Sequence, residues 1–377
     1  MINRELFSLI NPKLSNGKAI IVLGPRQTGK TTLLHSLSQN KGRLWLNCDD
    51  PTVRDMLENA NLASLKTLIG PAKLVVVDEA QRVKNIGLTL KLITDEINQC
   101  QLIVSGSSSL DLANEINEPL TGRKWEYFLY PISWKELTTH FGYLQSIQQL
   151  EQRIIFGMYP EVVTHPGNEK ELLTQLAGSY LYKDLLSFRG IRKPELLDKL
   201  LKALAFQIGQ EVSYNELANT LQVDKKTIND YIYLLEQAFI ITRLQPLSRN
   251  LRNEISTTRK IYFWDTGIRN AVIGNYASLN SRNDTGALWE NFLIAERMKY
   301  LHYSSVISNR FFWRTHAQQE IDYVEEHDGK FSAFEFKWKP NPKIRFPKAF
   351  TQTYRDAVFQ VITPGNFHAF LTESTST

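Results

Sequence analysis

Cysteine is scarce in this 377-residue sequence, and a long apolar run is absent. Its two cysteines, Cys48 and Cys100, are too few for a disulfide framework or a four-cysteine zinc site, so we expect free thiols in a reducing compartment. No apolar run approaches the roughly 18 residues of a membrane-spanning helix. The amphipathic start, Met1 to Phe7, also lacks the apolar core of a signal peptide. We therefore expect a cytoplasmic protein that does not span a membrane.

A strong excess of charge of one sign is lacking as well. The sequence has 44 Lys and Arg residues against 39 Asp and Glu residues, for a net charge of +5. This mild balance permits contact with nucleic acid without requiring it. Hydrophobic residues make up 42% and charged residues 22%, which is typical of a globular protein. The length exceeds that of one ordinary domain, so we expect two or three.

A phosphate-binding loop is the most specific motif. The stretch 24–31, GPRQTGKT, fits G-x-x-x-x-G-K-[ST] and follows the apolar run 19–23, which predicts a buried strand. In such loops backbone N–H groups point at a phosphate, the lysine reaches the β- and γ-phosphate oxygens, and the hydroxyl binds Mg²⁺. A chance glycine-rich turn is the alternative. Lys30 is predicted to be catalytic and Thr31 to bind Mg²⁺, and the residues predicted to contact ATP in this stretch are Gly24, Gln27, Thr28, Gly29, Lys30, Thr31 and Thr32.

Two acids follow a second apolar run. Residues 74–77 are all apolar and lead into Asp78 and Glu79, which predicts a central parallel strand with its acids at the ligand-binding edge. We predict that Asp78 holds Mg²⁺ through its water shell and that Glu79 polarises the attacking water. A helix N-cap is the alternative for Asp78, and its position 48 residues after Lys30 weakens that interpretation.

Two further polar residues complete the predicted ATP site. Strands alternate with helical segments through residues 1–143, which predicts a parallel sheet covered on both faces. A third core strand ends in Ser105 to Ser108, so Ser105 or Ser107 would lie beside the γ-phosphate as a sensor, with ordinary turn chemistry as the alternative. Arg123 is a candidate arginine finger, acting in its own or a neighbouring subunit, with a solvated loop arginine as the alternative.

These motifs resemble a large family of prokaryotic AAA-type ATP-binding proteins, and the resemblance covers nearly the whole chain. It implies an ASCE-type P-loop ATPase with an extra strand between the loop and the acids. It also implies a C-terminal domain of unknown function that looks like a restriction-endonuclease fold. The segments that carry the resemblance are GPRQTGKT (24–31), DEAQ (78–81), SGSS (105–108), LTGR (120–123), YPIS (130–133), GMYPE (157–161), YKD (182–184) and KIYFWDTG (260–267).

The middle of the chain predicts a helical lid or connector over 144–205 and a winged helix over 206–265. Ser213 opens a capping box for a helix that ends at Leu221, and a second helix follows over 227–239. Two apolar segments would then form the wing strands. An interdomain scaffold with solvated lysines is the alternative. The residues that could touch phosphates are Lys225, Lys226, Arg249 and Arg252.

The predicted endonuclease-like domain, 266–377, contains a pattern D-x12-E-x-K. The alternation in 320–324 places Glu320 and Asp322 on one strand face, and that in 334–338 places Glu335 and Lys337 together. We predict that Asp322 and Glu335 bind Mg²⁺ or Mn²⁺, with Glu290 as an additional acid, and that Glu335 and Lys337 act in catalysis. An ion-pair ladder across two strands is the alternative.

The basic run after this pattern could follow a nucleic-acid backbone, or it could be a solvated edge. Its members are Lys337, Lys339, Lys343, Arg345 and Lys348. The leading hypothesis is therefore an Mg²⁺-dependent ATPase coupled to nucleic acid, with DNA favoured, together with metal-dependent phosphodiester cleavage and a homo-oligomeric state. The alternative is a nucleotide-gated module that binds a partner protein through a catalytically inactive nuclease-like domain.

Overall fold

A computed structural model describes most of the chain. The described residues are 1–39, 42–97, 99–107, 116, 118–181, 193–247, 259–315, 317–339 and 344–373. They divide into two compact units, one formed by Met1–Ile132 with Gln237–Phe239 and the other by Ser133–Glu236 with Ile240–Thr377. Within the described ranges, no helix has the length and apolar content needed to cross a membrane. Cys48 and Cys100 are both free thiols.

The first unit contains a five-stranded sheet in which every strand pair is parallel. Its order is β2-β3-β4-β1-β5, so β4 lies between β1 and β3, as the sequence predicts. The strands β1, β3 and β4 are buried along their whole length, which explains their continuous apolar sequences. The five strands are β1 (Ala19–Leu23), β2 (Arg43–Asn47), β3 (Leu74–Asp78), β4 (Gln101–Gly106) and β5 (Lys124–Phe128).

Local sequence signals set the helices of this unit. The helix Pro51–Leu57 (α3) starts at a capped end, because the Asp50 side chain accepts from the backbone N–H of Thr52 and Pro51 takes the first helical position. Short 3₁₀ turns occupy Asn11–Lys13 and Ala80–Arg82. The helices are α1 (Glu5–Ile10), α2 (Lys30–Leu37), α3 (Pro51–Leu57), α4 (Leu62–Ile69) and α5 (Ile86–Glu96).

The second unit begins with short helices, as predicted for 144–205. Ser133 and Glu136 form a capping box at the start of α6, and Ser213 caps α12 as the sequence predicts. A π-helical turn occupies Leu176–Leu181, and Leu279–Ser281 is a 3₁₀ turn. The helices are α6 (Trp134–Phe141), α7 (Tyr143–Gln148), α8 (Leu150–Phe156), α9 (Pro160–Thr164), α10 (Glu169–Gln175), α11 (Pro194–Phe206), α12 (Tyr214–Leu221), α13 (Lys225–Gln237), α14 (Thr266–Ile273), α15 (Thr285–Tyr303), α16 (Lys348–Thr353) and α17 (Phe367–Thr372).

A seven-stranded sheet runs through the second unit in the order β12-β11-β10-β9-β7-β8-β6. The parallel pair β7–β9 joins strands of the predicted winged-helix region to strands of the predicted endonuclease-like region. The winged-helix assignment and the four-region division of the chain stay predictions. The strands are β6 (Glu211–Val212), β7 (Ile241–Pro246), β8 (Arg259–Phe263), β9 (Asn309–Arg314), β10 (Glu320–His327), β11 (Lys330–Phe336) and β12 (Val358–Ile362).

Helix α15 lies in the core of the second unit, and its buried charges are paired. Arg297 donates to both carboxylate oxygens of Glu325 at 2.8 and 2.9 Å. Lys299 donates to Glu296 at 2.6 Å, and the other oxygen of Glu296 accepts from the backbone N–H of Trp134. Because a buried charge is costly unless it is paired, these contacts explain how a helix with buried charges can form the core.

Candidate functional site

The loop between β1 and α2 is held by two glycines. A Cβ on Gly24 would lie 2.2 Å from the carbonyl oxygen of Leu129, so a side chain does not fit there. Gly29 has φ = 91°, a left-handed conformation that favours glycine, at the N-cap of α2. The loop therefore leads directly into α2, and its backbone lies close to the segment at Leu129. A close backbone turn at a helix N-terminus is what a phosphate-binding loop requires.

Polar side chains of the loop are anchored to its own carbonyls. Lys30 is only 5% exposed, and its Nζ donates to the carbonyls of Gly24 and Pro25 at 2.9 Å each. The Thr28 hydroxyl donates to the Pro25 carbonyl at 2.8 Å. Thr32 lies exposed on the first turn of α2. The loop thus places a buried ammonium group at the start of the helix.

The acid on β3 reaches both the loop and the neighbouring strand. The Thr31 hydroxyl donates to Asp78 Oδ2 at 2.9 Å, and the Ser105 hydroxyl donates to Asp78 Oδ1. Asp78 and Ser105 are buried. Hydroxyl and carboxylate oxygens are the ligands that Mg²⁺ prefers, so Thr31 and Asp78 fit the ion predicted for this position. The structure brings together three residues that are far apart in the sequence.

Glu79 follows Asp78 in an unusual backbone conformation. Its φ is 56°, and its backbone N–H donates to the Ser105 hydroxyl at 3.1 Å. Its carboxylate Oε2 accepts from Gln81 Nε2 at 2.6 Å. The same amide nitrogen donates to the Ser107 hydroxyl at 2.8 Å. Thus Gln81, which the sequence showed within DEAQ but to which no role was given, lies beside the predicted catalytic acid.

Arg123 lies away from these residues in its own chain. It precedes β5, and its carbonyl accepts from the N–H of Ala19, the first residue of β1. The loop with Lys30 follows the other end of β1, so the length of a five-residue strand, about 16 Å, separates the two ends. The Arg123 guanidinium donates to Asp95 at 2.6 Å. An arginine-finger role for Arg123 therefore stays a prediction that would require a second subunit.

Sequence reasoning missed Arg4 as a support of the loop. Its guanidinium donates to the carbonyl of Thr28 at 2.5 Å and to the carbonyl of Tyr130 at 2.6 Å. Arg4 is separated in sequence from Thr28 by 24 positions and from Tyr130 by 126 positions. A local sequence pattern cannot predict contacts over such separations. Arg4 thus ties the phosphate loop to the segment that follows β5.

The D-x12-E-x-K residues converge on the β10–β11 hairpin. The pairing of Tyr323 with Phe334 places Asp322 across from Glu335. Lys337 Nζ lies 2.9 Å from Glu335 Oε2 and 3.6 Å from Asp322 Oδ2. The backbone N–H of Phe336 donates to Asp322 Oδ2 at 2.8 Å. The prediction that these three side chains lie together agrees with this geometry.

The alternation expected over 320–324 does not continue as far as Val324. The register between β9 and β10 shifts between Ile321 and Val324, and both residues pack in the same apolar cluster. Tyr323 instead contacts the ring of Phe370. A bulge inserts one residue into a strand and so resets which side chains share a face.

Burial and like charge perturb the acids of this cluster. Burial and the neighbouring Asp322 carboxylate raise the pKa of Glu335 to about 7. Burial raises the pKa of Glu290 to about 7, with Lys260 opposing the rise. Burial lowers the pKa of Lys337, but the Asp322 and Glu335 carboxylates have the larger combined effect. The pKa of Lys337 therefore lies above its usual value. Perturbed groups of this kind mark candidate functional sites.

Glu290 is held by residues of β8, a strand that lies within the predicted winged-helix region 206–265. Its Oε1 accepts from the Tyr262 hydroxyl at 2.6 Å and lies 3.1 Å from Lys260 Nζ. Lys260 is 1% exposed and also lies 2.5 Å from Glu320. Among the described residues, no three His, Cys, Asp or Glu side chains are grouped so that they could hold a metal ion. A metal-ligand role for Glu290 thus stays a prediction.

Most of the predicted nucleic-acid contacts that the structure describes are exposed, whereas Lys337 is half-buried beside Glu335. Lys225 and Lys226 lie at the exposed start of α13. In the C-terminal basic run the exposed members are Lys339, Arg345 and Lys348. The predicted contacts Arg249, Arg252 and Lys343, together with Ser108 and the YKD segment at 182–184, lie outside the described residues.

Comparison with protein families identifies the first unit. Residues 16–138 match a family described as an AAA domain. Residues 147–279 and 285–374 match two domains of unknown function, DUF8612 and DUF4143. With the loop, the acids and the parallel sheet, this match shows an AAA-type P-loop ATPase fold, which confirms that part of the prediction. The endonuclease-like assignment of the C-terminal region stays a prediction.

Sequence similarity to other proteins covers most of the chain. An uncharacterized protein of Mycobacterium tuberculosis is 26% identical over 347 residues, covering 90% of this chain and 75% of that protein. An uncharacterized protein of Methanocaldococcus jannaschii is 23% identical over 347 residues, covering 86% and 75%. The solved structure of a Walker-type ATPase of Pyrococcus abyssi has a TM-score of 0.51 at 15% identity, covering 72% of this chain and 96% of that chain. This structural likeness shows the fold.

Proposed function

We propose that this chain binds ATP with Mg²⁺ and hydrolyses it. The observation that carries the proposal is the contact chain from Thr31 through Asp78 to Ser105, at the edge of the sheet where the loop ends. In P-loop ATPases this edge receives the nucleotide phosphates. The AAA-domain match over residues 16–138 supports the same conclusion.

Each residue of the site has a distinct role in this proposal. Lys30 and the loop N–H groups bind the phosphates and orient the γ-phosphate. Thr31 and Asp78 would hold Mg²⁺, which neutralises phosphate charge when bound. Glu79 orients the attacking water, and Ser105 fixes Asp78. Positioning and electrostatic stabilisation by these groups account for most of the rate in this reaction class.

Two substitutions in the full chain test the proposal. Lys30→Ala should abolish ATP binding or hydrolysis, while Glu79→Gln should retain binding and block turnover, because Lys30 contacts phosphates before the reaction and Glu79 acts only on the water. Lys66→Ala, an exposed lysine on α4, is the matched control. Binding of a fluorescent ATP analogue and phosphate release are the measurements. Parental hydrolysis by Lys30→Ala would contradict the assignment of the loop.

A second function is favoured by the convergence of Asp322, Glu335 and Lys337. We propose that these residues cleave a phosphodiester in nucleic acid, with DNA the favoured substrate. Mg²⁺ in proteins is commonly held by one or two carboxylates, with water and substrate phosphate completing its shell, so Asp322 and Glu335 fit such an ion. Lys337 would stabilise charge that develops on the phosphate. Exposed lysines at the start of α13 supply candidate phosphate contacts.

The competing function is a nucleotide-gated interaction module whose nuclease-like region is inactive. Metal titration separates the two. The nuclease proposal expects Mn²⁺ binding to the full chain that is lost in Asp322→Ala while a Mn²⁺ site with bound ATP persists. Calorimetry with and without ATP would measure both. If Asp322→Ala and the parent bind equal numbers of Mn²⁺ ions, the interaction module is favoured.

A further inference from the structure

Gln81 connects the predicted catalytic acid to the end of β4. It lies in the 3₁₀ turn Ala80–Arg82, directly after Glu79. Its Nε2 donates to Glu79 Oε2 at 2.6 Å and to the Ser107 hydroxyl at 2.8 Å. Its Oε1 accepts from the backbone N–H of Ser107 at 3.3 Å. One side-chain amide therefore holds the Glu79 carboxylate together with the hydroxyl and the backbone N–H of Ser107.

The backbone of Glu79 is fixed by the same strand. Its φ of 56° lies in the left-handed region, which residues other than glycine rarely adopt. Such a conformation persists when surrounding contacts determine it. Here the backbone N–H of Glu79 donates to the hydroxyl of Ser105, which is fully buried in β4. The backbone of Glu79 is thus held by Ser105 in β4, and its carboxylate is held through Gln81 by Ser107, the residue that follows β4.

We propose that Gln81 is a positioning residue that sets the orientation of the Glu79 carboxylate toward the attacking water. The proposal rests on the ATP hydrolysis proposed above. The amide exchanges no proton in this role and acts only by holding Oε2. Because Gln81 also holds Ser107, the orientation of Glu79 depends on the position of the end of β4. A shift of this end, which lies at the phosphate-binding edge, would change the competence of Glu79.

A purely structural role for Gln81 makes a different prediction. The same hydrogen bonds could serve only to close the turn, and their loss would then lower stability or ATP affinity. A positioning role instead predicts a loss confined to turnover, because Glu79 acts after ATP is bound. The ratio of the effect on kcat to the effect on ATP affinity therefore separates the two roles.

The experiment uses Gln81→Ala and Gln81→Glu in the full chain. The first removes both donated hydrogen bonds, and the second places a like charge against Glu79. For both we expect kcat to fall about 10- to 100-fold, since small misplacements of catalytic groups have effects of this size. The KM and the ATP dissociation constant should stay within about twofold. Arg82→Ala is the control, because Arg82 lies in the same turn but pairs with Asp49 at the surface.

A double-mutant cycle tests whether Gln81 acts through Glu79. In a Glu79→Gln background, Gln81→Ala should cause no further loss, as measured by release of labelled phosphate in long incubations. An equal loss in both backgrounds, or an unchanged kcat for Gln81→Ala in the parent, would overturn the inference while leaving the ATPase proposal in place. A loss of ATP affinity as large as the loss of kcat would overturn it as well. A parent that does not hydrolyse ATP would overturn both.

Discussion

The two candidate sites hold their carboxylates by different means. In the first unit the carboxylate of Asp78 accepts from the hydroxyls of Thr31 and Ser105. In the second unit ammonium groups hold the acids, with Lys260 beside Glu290 and Glu320 and with Lys337 beside Asp322 and Glu335. A hydroxyl leaves the charge of the carboxylate intact, whereas a lysine neutralises it.

This difference bears on how readily each site takes a cation. The hydroxyl partners of Asp78 are uncharged, so a divalent ion can add favourable charge there without displacing a cation from these contacts. At the C-terminal cluster a metal must compete with lysines already bound to the carboxylates. The first site is therefore suited to a divalent ion that binds without competing against a lysine. The second is suited to a metal that enters together with a phosphate able to take over the lysine contacts.

Removing an acid from the second site should have the largest effect. Asp322→Ala should abolish cleavage of labelled DNA in Mn²⁺, by at least about 100-fold, because it removes one of two carboxylate ligands. ATP hydrolysis should stay near the parental rate, because Asp322 and the phosphate loop lie in different units. Asp328→Ala, in the exposed turn of the same hairpin, is the control. Equal cleavage by Asp322→Ala and the parent would remove the nuclease proposal.

Breaking the lysine contacts should destabilise the second unit. Lys260→Met leaves Glu290 and Glu320 without their shared cation, which should cost about 3 kcal/mol. For a unit of this size the melting temperature should fall by about 6–12 °C. Calorimetry would measure this fall, and the ATP dissociation constant should not change.

A second substitution checks the cause of that loss. Lys260→Met combined with Glu290→Gln should regain part of the stability, because the uncompensated buried charge is removed. The exposed Lys348→Met should leave the melting temperature unchanged. A double variant no more stable than Lys260→Met alone would show that packing, rather than charge, explains the effect.

The acids of the second site should also make stability depend on pH. The pKa of Glu335 is about 7 in the folded chain and 4.5 ordinarily, so between about pH 5 and 7 the folded state holds a proton that the unfolded state releases. Raising the pH through this window therefore lowers the free energy of unfolding. Glu335→Gln removes the titrating group, so the free energy of unfolding of this variant should lack this decrease with pH. The melting temperature of the variant minus that of the parent should therefore increase from pH 5 to pH 8, measured in EDTA. A constant difference, like that expected for the exposed Glu195→Gln, would contradict the shift.

The smallest expected effect is a contribution of Arg123 to ATP hydrolysis in a neighbouring subunit. Arg123 lies at the opposite end of β5 from the phosphate-binding edge, so any contribution to hydrolysis should come from a neighbouring subunit. Mixing Arg123→Ala with Lys30→Ala protein should restore a modest ATPase activity above the sum of the two. A strictly monomeric chain that hydrolyses ATP well would contradict the proposal.

The sequence predicted best what contiguous residues determine. The loop 24–31 and the acids of β3 each lie on one strand and the turn after it, so spacing alone locates them. The convergence of Asp322 with Glu335 was also predictable, because the two strands are joined by the tight turn at Asp328 and Gly329.

Contacts between distant segments were not predictable in this way. Arg4 reaches Tyr130 across 126 positions, and Gln81 reaches Ser107 across 26. Lys260 lies within the predicted winged-helix region, and no local pattern connects it with Glu290, thirty positions later. The bulge in β10 likewise depends on pairing with β9, which a single strand's pattern does not report.

The parallel pairing of β7 with β9 has a consequence for synthesis of the chain. Gln245 pairs with Phe311, so on a ribosome β7 must wait for 66 more residues before its partner is made. Until then β7 presents an unpaired edge able to capture another strand. A fragment that starts at residue 266 would lack β7, so β9 would have an unpaired edge. Expression trials should therefore keep residues 241–336 in one polypeptide, and slow steps in refolding should involve this closure.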